Sequence, residues 1–213
     1  MMEGILASFP LGDMVHYLSE YTIVLFAFAA LFVVLALISL PEKPVDMVFG
    51  TDGYYLKEIP KDIAKFQRFS ALACGVATIG AIVSGDIFNF TLFAALIGVL
   101  NIGIVATVKN GHVLKAAFSY GLVVMMGTVP LFAGAAIVAA TCGTLSIWEL
   151  AGAAAVPFIA KLLILIGVLG EGMAPFYIGK AEITRAPGAP YILMIHVSSL
   201  LLFLRVVEIL LVV

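Results

Sequence analysis

Residues 21–40 read YTIVLFAFAALFVVLALISL, twenty positions without a single charge. A bilayer core of about 30 Å needs about 20 residues of helix, so this run alone spans it. It is no isolated feature. The chain of 213 residues is 63% hydrophobic and 11% charged, with mean hydropathy +1.20. A soluble domain carries about 25% charged residues, so a large soluble core does not explain the difference.

Working outward from the first run, six spans are expected: 21–40, 69–84, 87–108, 113–141, 153–176 and 189–211. The fold class is therefore all-α, a polytopic membrane protein with about six transmembrane helices in a single integral membrane domain, 1–213. The second span is short, and only Ser84, Gly85 and Asp86 separate it from the third. That turn is feasible because Gly accepts turn geometry and Asp caps a following helix. Asn101, Gly103 and Pro130 interrupt the third and fourth spans, which lipid tolerates where neighbours satisfy the freed backbone. Pro175 is expected to break or kink the fifth. Residues 41–68 are a balanced polar stretch, expected to be a cytoplasmic loop with a turn at Thr51-Asp52-Gly53. The first run does not read as a secretory signal, because no Lys or Arg precedes Lys43.

Nine of the 11 basic residues fall in three loops: Lys43, Lys57, Lys61, Lys65 and Arg68; Lys109 and Lys115; Lys180 and Arg185. The positive-inside rule then puts these loops in the cytoplasm and both termini outside the cell membrane. Reporter fusions after Glu42 and Arg185 should register cytoplasm and one at the C-terminus outside. A cytoplasmic C-terminus would overturn the six-span order.

Composition excludes several classes of function. No basic run suggests nucleic acid, and no Gly-rich phosphate loop or nucleophile elbow is present. Cys74 and Cys142 lie in or beside apolar segments and read as buried thiols, neither a disulfide nor a metal site. No cofactor, metal or catalytic residue is expected.

From Gly85 onward four blocks carry a resemblance. Gly85-Asp86-Ile87-Phe88-Asn89-Phe90-Thr91-Leu92-Phe93 matches a helix opening of the form D-[LI]-F-N-x-x-x-F. Leu114-Lys115-Ala116-Ala117-Phe118 matches A-L-K-Y-[FL], and Gly143-Thr144-Leu145-Ser146 matches G-T-L-[DSN]. Gly172-Met173-Ala174-Pro175-Phe176, Ala186-Pro187 to Pro190, and Ile195-His196 match the last block, in order. Together, over 85–200, they resemble the antiporter-like membrane subunits of respiratory complex I, Mrp-type cation/proton antiporters and membrane-bound [NiFe]-hydrogenases. The resemblance implies the first five-helix repeat of such a subunit plus one N-terminal helix. The family's proton-pathway glutamate falls at Ala95 and its lysine at Gly170, with Glu171 next; H-x-W-L-P becomes Tyr177 to Ala181. The second, inverted repeat is missing.

A short, degenerate member of this kind implies a non-catalytic membrane subunit of an ion-translocating, energy-converting hydrogenase. Its partners would be the other membrane and peripheral subunits and the lipid. The rivals are a stand-alone or dimeric antiporter and a purely structural subunit.

Charges inside spans are costly, so they are candidate ion-path residues. Lys161 is either functional or a snorkelling flank lysine. Arg205 and Glu208, three apart, pair locally near a helix end, where snorkelling is the expected behaviour. Glu171 is a relay group or an interfacial carboxylate. His196 is a relay imidazole or a neutral buried ring. Asp86 and Lys115 are path residues or no more than a cap and an anchor, and Trp148 reads as an interfacial anchor. Antiparallel packing of the last two spans puts Lys161 level with Glu208, and Glu171 level with His196.

Overall fold

The computed structural model describes residues 5–11, 14–38, 45–50, 53–58, 61–107, 111–152, 156–171, 180 and 189–213. Its helices are α1 (Glu20–Ile38), α2 (Lys61–Val83), α3 (Ile87–Ala106), α4 (Gly111–Cys142), α5 (Ile147–Gly152), α6 (Phe158–Leu169) and α7 (Ala189–Val212). Five are long and apolar enough to cross a membrane: α1, α2, α3, α4 and α7; α6 is a shorter apolar helix. Helices dominate because a chain in lipid must satisfy its own backbone polar groups.

The expected fifth span, 153–176, is represented by the 12 residues of α6, with 153–155 and 172–179 outside the described residues. Pro175 and the resemblance block from Gly172 to Phe176 therefore also lie outside them. The second span begins at Lys61, eight residues before its expected start. Its first turns are amphipathic: Lys61, Asp62 and Lys65 face outward while Gln67 is buried and donates to the Ile104 carbonyl. Charges at that end hid the helix from a hydropathy reading. Arg68 donates to the Leu37 carbonyl at the end of α1, a cation where a helix C-terminus favours one.

Two antiparallel hairpins were absent from the sequence expectation. β1 (Ile5–Leu11) pairs with β2 (Met14–Ser19), and β3 (Val45–Gly50) with β4 (Gly53–Glu58). The second occupies much of the expected loop 41–68. Its Gly50↔Gly53 pairing leaves Thr51-Asp52 as the two-residue connection, where a turn is expected. In the first, Leu11↔Met14 leaves Gly12-Asp13, a two-residue hairpin signal outweighed by the apolar run that follows.

Asp86 caps α3 as expected, its Oδ1 accepting from the Asn89 backbone N–H at 2.7 Å. Gly143, at φ +73°, ends α4 in the left-handed conformation that favours glycine. Two backbone hydrogen bonds, Ile87 to Leu145 at 3.0 Å and Ile147 to Gly85 at 2.9 Å, tie the α2–α3 turn to the α4–α5 turn. Both turns therefore share one end of the bundle.

Within the bundle α2 packs on α1, α3 and α7, while α4 packs on α3 and α6. The α4–α6 contact is close at the backbone. A Cβ at Gly127 would lie 2.9 Å from Gly170 Cα, and one at Gly134 would lie 2.9 Å from the Ala160 carbonyl oxygen. Small residues let helix backbones approach this closely where lipid supplies no hydrophobic drive.

Candidate functional site

Glu171 follows the last turn of α6 and is only 2% exposed. The packing explains its direction. Gly170, at the position of the family's lysine, lies against Gly127: a Cβ there would be 2.6 Å from Gly127 Cα. A side chain at 170 would force α4 and α6 apart. The next residue instead carries its carboxyl toward α3, where Gly98 makes room. A Cβ at Gly98 would stand 2.8 Å from Glu171 Oε1 and 2.3 Å from Val124. The carboxyl thus sits about one turn along α3 from Ala95, the position of the family's glutamate.

A polar chain leads away from it through the core. The Tyr120 hydroxyl of α4 lies on the same side of the core as the Glu171 carboxyl. Asn101 of α3 donates to the same hydroxyl at 3.3 Å, and Cys74 of α2 donates to Asn101 Oδ1 at 3.2 Å. Ser199 of α7 donates to the Glu171 backbone carbonyl at 3.1 Å. Lys180 is 2% exposed and acts electrostatically on both Glu171 and Cys74. The described ion pairs are Lys65–Asp62 and Arg205–Glu208, so Lys180 reaches Glu171 without a direct bridge among the described residues. One carboxylate oxygen, Glu171 Oε2, is buried with no described hydrogen-bond partner.

A buried carboxyl, a buried amine and a run of hydroxyl, amide and thiol groups can pass a proton or hold a polar network shut. The group lies across α2, α3, α4, α7 and the end of α6. Of its members, sequence reasoning named only Glu171 as a candidate. Asn101 was visible as a polar residue in an apolar helix, a signal that it faces the bundle interior. Lys180, expected among the solvated loop charges, is buried.

A second cluster lies at the end that carries the β1–β2 hairpin. The expected snorkelling of Arg205 is not what the structure shows: its side chain is 0% exposed. Its Nη1 pairs with Glu208 at 2.5 Å and donates to Thr22 at 3.3 Å, and Nη2 donates to the Ser84 carbonyl at 3.0 Å. The guanidinium lies over the Tyr17 ring, 5.4 Å from its centre. Glu208 also accepts from Ser19 at 2.7 Å and Thr22 at 3.2 Å. Burial pushes the Tyr17 phenol above its ordinary range, with Arg205 opposing the shift. Close partners on three other elements hold the arginine, so it does not reach for water.

The remaining candidates separate. Lys161 forms no ion pair with Glu208, whose oxygens are already occupied by Arg205, Ser19 and Thr22. His196 is half-buried and makes no hydrogen bond to Glu171 among the described residues; from the same helix it is Ser199 that meets Glu171, at its backbone carbonyl and not its carboxyl. Asp86 is buried as a cap and Lys115 is exposed near the start of α4. Trp148 is 40% exposed and packs at 6.4 Å from Tyr17, so it braces the hairpin.

Comparison with known proteins places the chain. A family model described as NADH dehydrogenase I, subunit N related protein matches residues 1–213. The chain belongs to this family. A protein of Methanocaldococcus jannaschii is 44% identical over 203 residues, covering 95% of this chain and 93% of its own. Among solved structures, a chain of the Mrp complex from Dietzia sp. DQ12-45-1b superposes with TM-score 0.55 at 14% identity, over 89% of this chain. That similarity is one of fold, and it spans 28% of the Mrp chain. The chain is thus a multi-pass membrane protein of the NADH dehydrogenase I, subunit N-related family, with a fold like that of part of the Mrp chain.

Proposed function

We propose that this chain is a non-catalytic membrane subunit of an ion-translocating, energy-converting [NiFe]-hydrogenase, contributing to its ion path or to coupling with the peripheral arm. The finer assignment is to the short antiporter-like component of the energy-converting hydrogenase A (Eha) complex of methanogenic archaea. The methanogen relative at 44% identity is in keeping with it. The hydrogen chemistry would sit on other subunits, and both termini would lie outside the cell membrane.

The single observation that carries an ion-path role is the buried Glu171 carboxyl seated at Gly98 with Lys180 nearby. Ionisable groups inside a membrane bundle are costly and mark ion pathways. Glu171 and Lys180 remain jointly neutral whether the proton rests on the amine or on the carboxyl. A proton can therefore move between them through an intervening water without leaving net charge in a low-dielectric core.

The test is co-purification on a tagged chain, followed by ion-coupled turnover of the assembly. Hydrogenase large and small subunits should accompany the chain. Glu171→Gln should cut translocation per turnover by about tenfold or more, since a positioned proton-transfer group is worth about 10²–10⁴-fold. Gly98→Ala should do likewise by displacing the carboxyl, and His196→Ala should leave coupling intact. A silent Glu171→Gln in a fully assembled complex would move the chain to the purely structural reading.

A further inference from the structure

Helices α2 and α7 run parallel, and two contacts fix their register. A Cβ on Gly75 would lie 3.3 Å from Met194 Cε, and Arg205 Nη2 donates to the Ser84 carbonyl at 3.0 Å. Thr78 and Ser198 therefore stand at one level, about one turn beyond Gly75 and Met194. The buried face of α2 is polar at nearly every turn up to that level: Gln67, Ser70, Cys74 and Thr78. On α7, Ser198 and Ser199 are wholly buried, and Ser199 donates to the Glu171 backbone carbonyl at 3.1 Å.

The series then breaks. At the next level α2 carries Ala81 and α7 carries Leu202, both fully buried in the apolar core, with Ile82 and Leu201 beside them against α1. Polar groups resume only at Ser84 and Arg205. A hydrocarbon layer thus separates the Glu171 group from the hairpin-end cluster over about 10 Å, the rise from Ser198 to Arg205.

Polar atoms on both sides of the layer lack partners. Glu171 Oε2 on one side, and Arg205 Nε and the Tyr17 hydroxyl on the other, are buried with no hydrogen bond among the described residues. Such groups are costly unless water satisfies them, whereas an apolar layer stays dry. Arg205 Nε–H donates and the Tyr17 hydroxyl can donate or accept. Of the acidic groups at this end, Glu208 neutralises the guanidinium, Asp86 caps α3, and Glu20 and Glu149 are exposed. A paired guanidinium suits a neutral ligand, which here is water.

We propose that protons pass between Glu171 and the hairpin end along the α2–α7 seam, with the Ala81–Leu202 layer as the gate and water held between Arg205 and Tyr17 as the far terminus. The proposal rests on the reading of Glu171 as an ion-path residue, and it names the ion and the route. Apolar constrictions gate by dewetting, and a brief file of water through one carries a proton. The carboxyl gives its proton to the first water of the file, and the last water delivers one to the cluster. A metal cation would need a shell of oxygen ligands, which Ala81 and Leu202 do not offer. The Thr78 hydroxyl donates to the Cys74 carbonyl at 2.8 Å, so its oxygen remains free to accept from the first water.

The test uses the chain purified with its native partners, in proteoliposomes that trap a pH dye, with and without sodium. At rest the parent should hold an imposed pH gradient. Leu202→Ala should dissipate it, equally with or without sodium, and adding Glu171→Gln should make the vesicles tight again. Leu201→Ala loosens the α1 side by the same volume and should hold the gradient. Thr78→Val keeps the side-chain volume and should lower proton translocation per turnover by about fivefold, the worth of one hydrogen bond, with thermal stability unchanged. A tight Leu202→Ala in an assembled complex overturns the route. So does a leak that survives Glu171→Gln, that Leu201→Ala shares, or that sodium carries. Should Leu202→Ala fail to assemble, Thr78→Val decides, and unchanged coupling there overturns the route. Any of these results beside a Glu171→Gln variant that still loses translocation leaves the ion-path reading standing. A silent Glu171→Gln removes both.

Discussion

Arg205→Ala is expected to destabilise the fold by about 3–5 kcal/mol, the cost of removing one partner from a buried ion pair. The guanidinium is wholly buried and joins α7 to Thr22 of α1, to the Ser84 carbonyl after α2 and to the Tyr17 ring of β2. Its loss leaves Glu208 facing Ser19 and Thr22 alone and strips the Ser84 carbonyl of its described side-chain donor. Because Tyr17 then rests on an empty site, the β1–β2 hairpin should loosen with it. Unfolding of the purified chain in detergent would measure the stability loss, and protease cleavage within 5–19 the loosening. Arg205→Met combined with Glu208→Met should recover much of the loss, since an uncompensated charge costs more than an apolar pair of similar volume. An Arg205→Ala protein as stable as its parent would mean that the cluster is incidental.

The second large effect is expected at Gly167→Ala. A Cβ there would lie 2.5 Å from Leu131 Cβ and 2.8 Å from its Cα and N. Backbone cannot yield as a flexible side chain does, so α6 must move off α4. Overpacking of this kind costs about 1–3 kcal/mol. Moving α6 also withdraws Glu171 from Gly98, so coupling should fall together with stability. Gly152→Ala is the control: nothing among the described residues lies within 4 Å of its Cβ, and the replacement should be neutral or slightly stabilising. Equal effects at 167 and 152 would show that close α4–α6 packing is not what holds the site.

These two variants act on what a hydropathy reading could not reach. The run 21–40 and its counterparts told the fold class, because a twenty-residue uncharged stretch has few stable settings other than a bilayer. Asp86 announced a cap, because capping is a local matter of one side chain and the next turn. The order of four short blocks pointed to the antiporter-like family, which the match over residues 1–213 bears out.

Partners were another matter. Placing Lys161 opposite Glu208, and Glu171 opposite His196, relied on depth along two helices. Depth leaves rotation about the axis and the choice of neighbour open. Glu208 pairs with Arg205 one helical turn away, as their spacing led one to expect, and also meets Thr22 of α1 and Ser19 of β2, a strand that had no place in the expected layout. Tyr120 and Lys180 gave no signal of their own, since one reads as an aromatic in a span and the other as a loop charge.

Composition and periodicity report how each segment meets lipid, and so they were enough for the class, most of the spans and the α3 cap. Which carboxyl meets which amine depends on where two backbones can touch. That was decided by glycines at 98, 127, 167 and 170, whose missing side chains have an effect only once the helices are brought together.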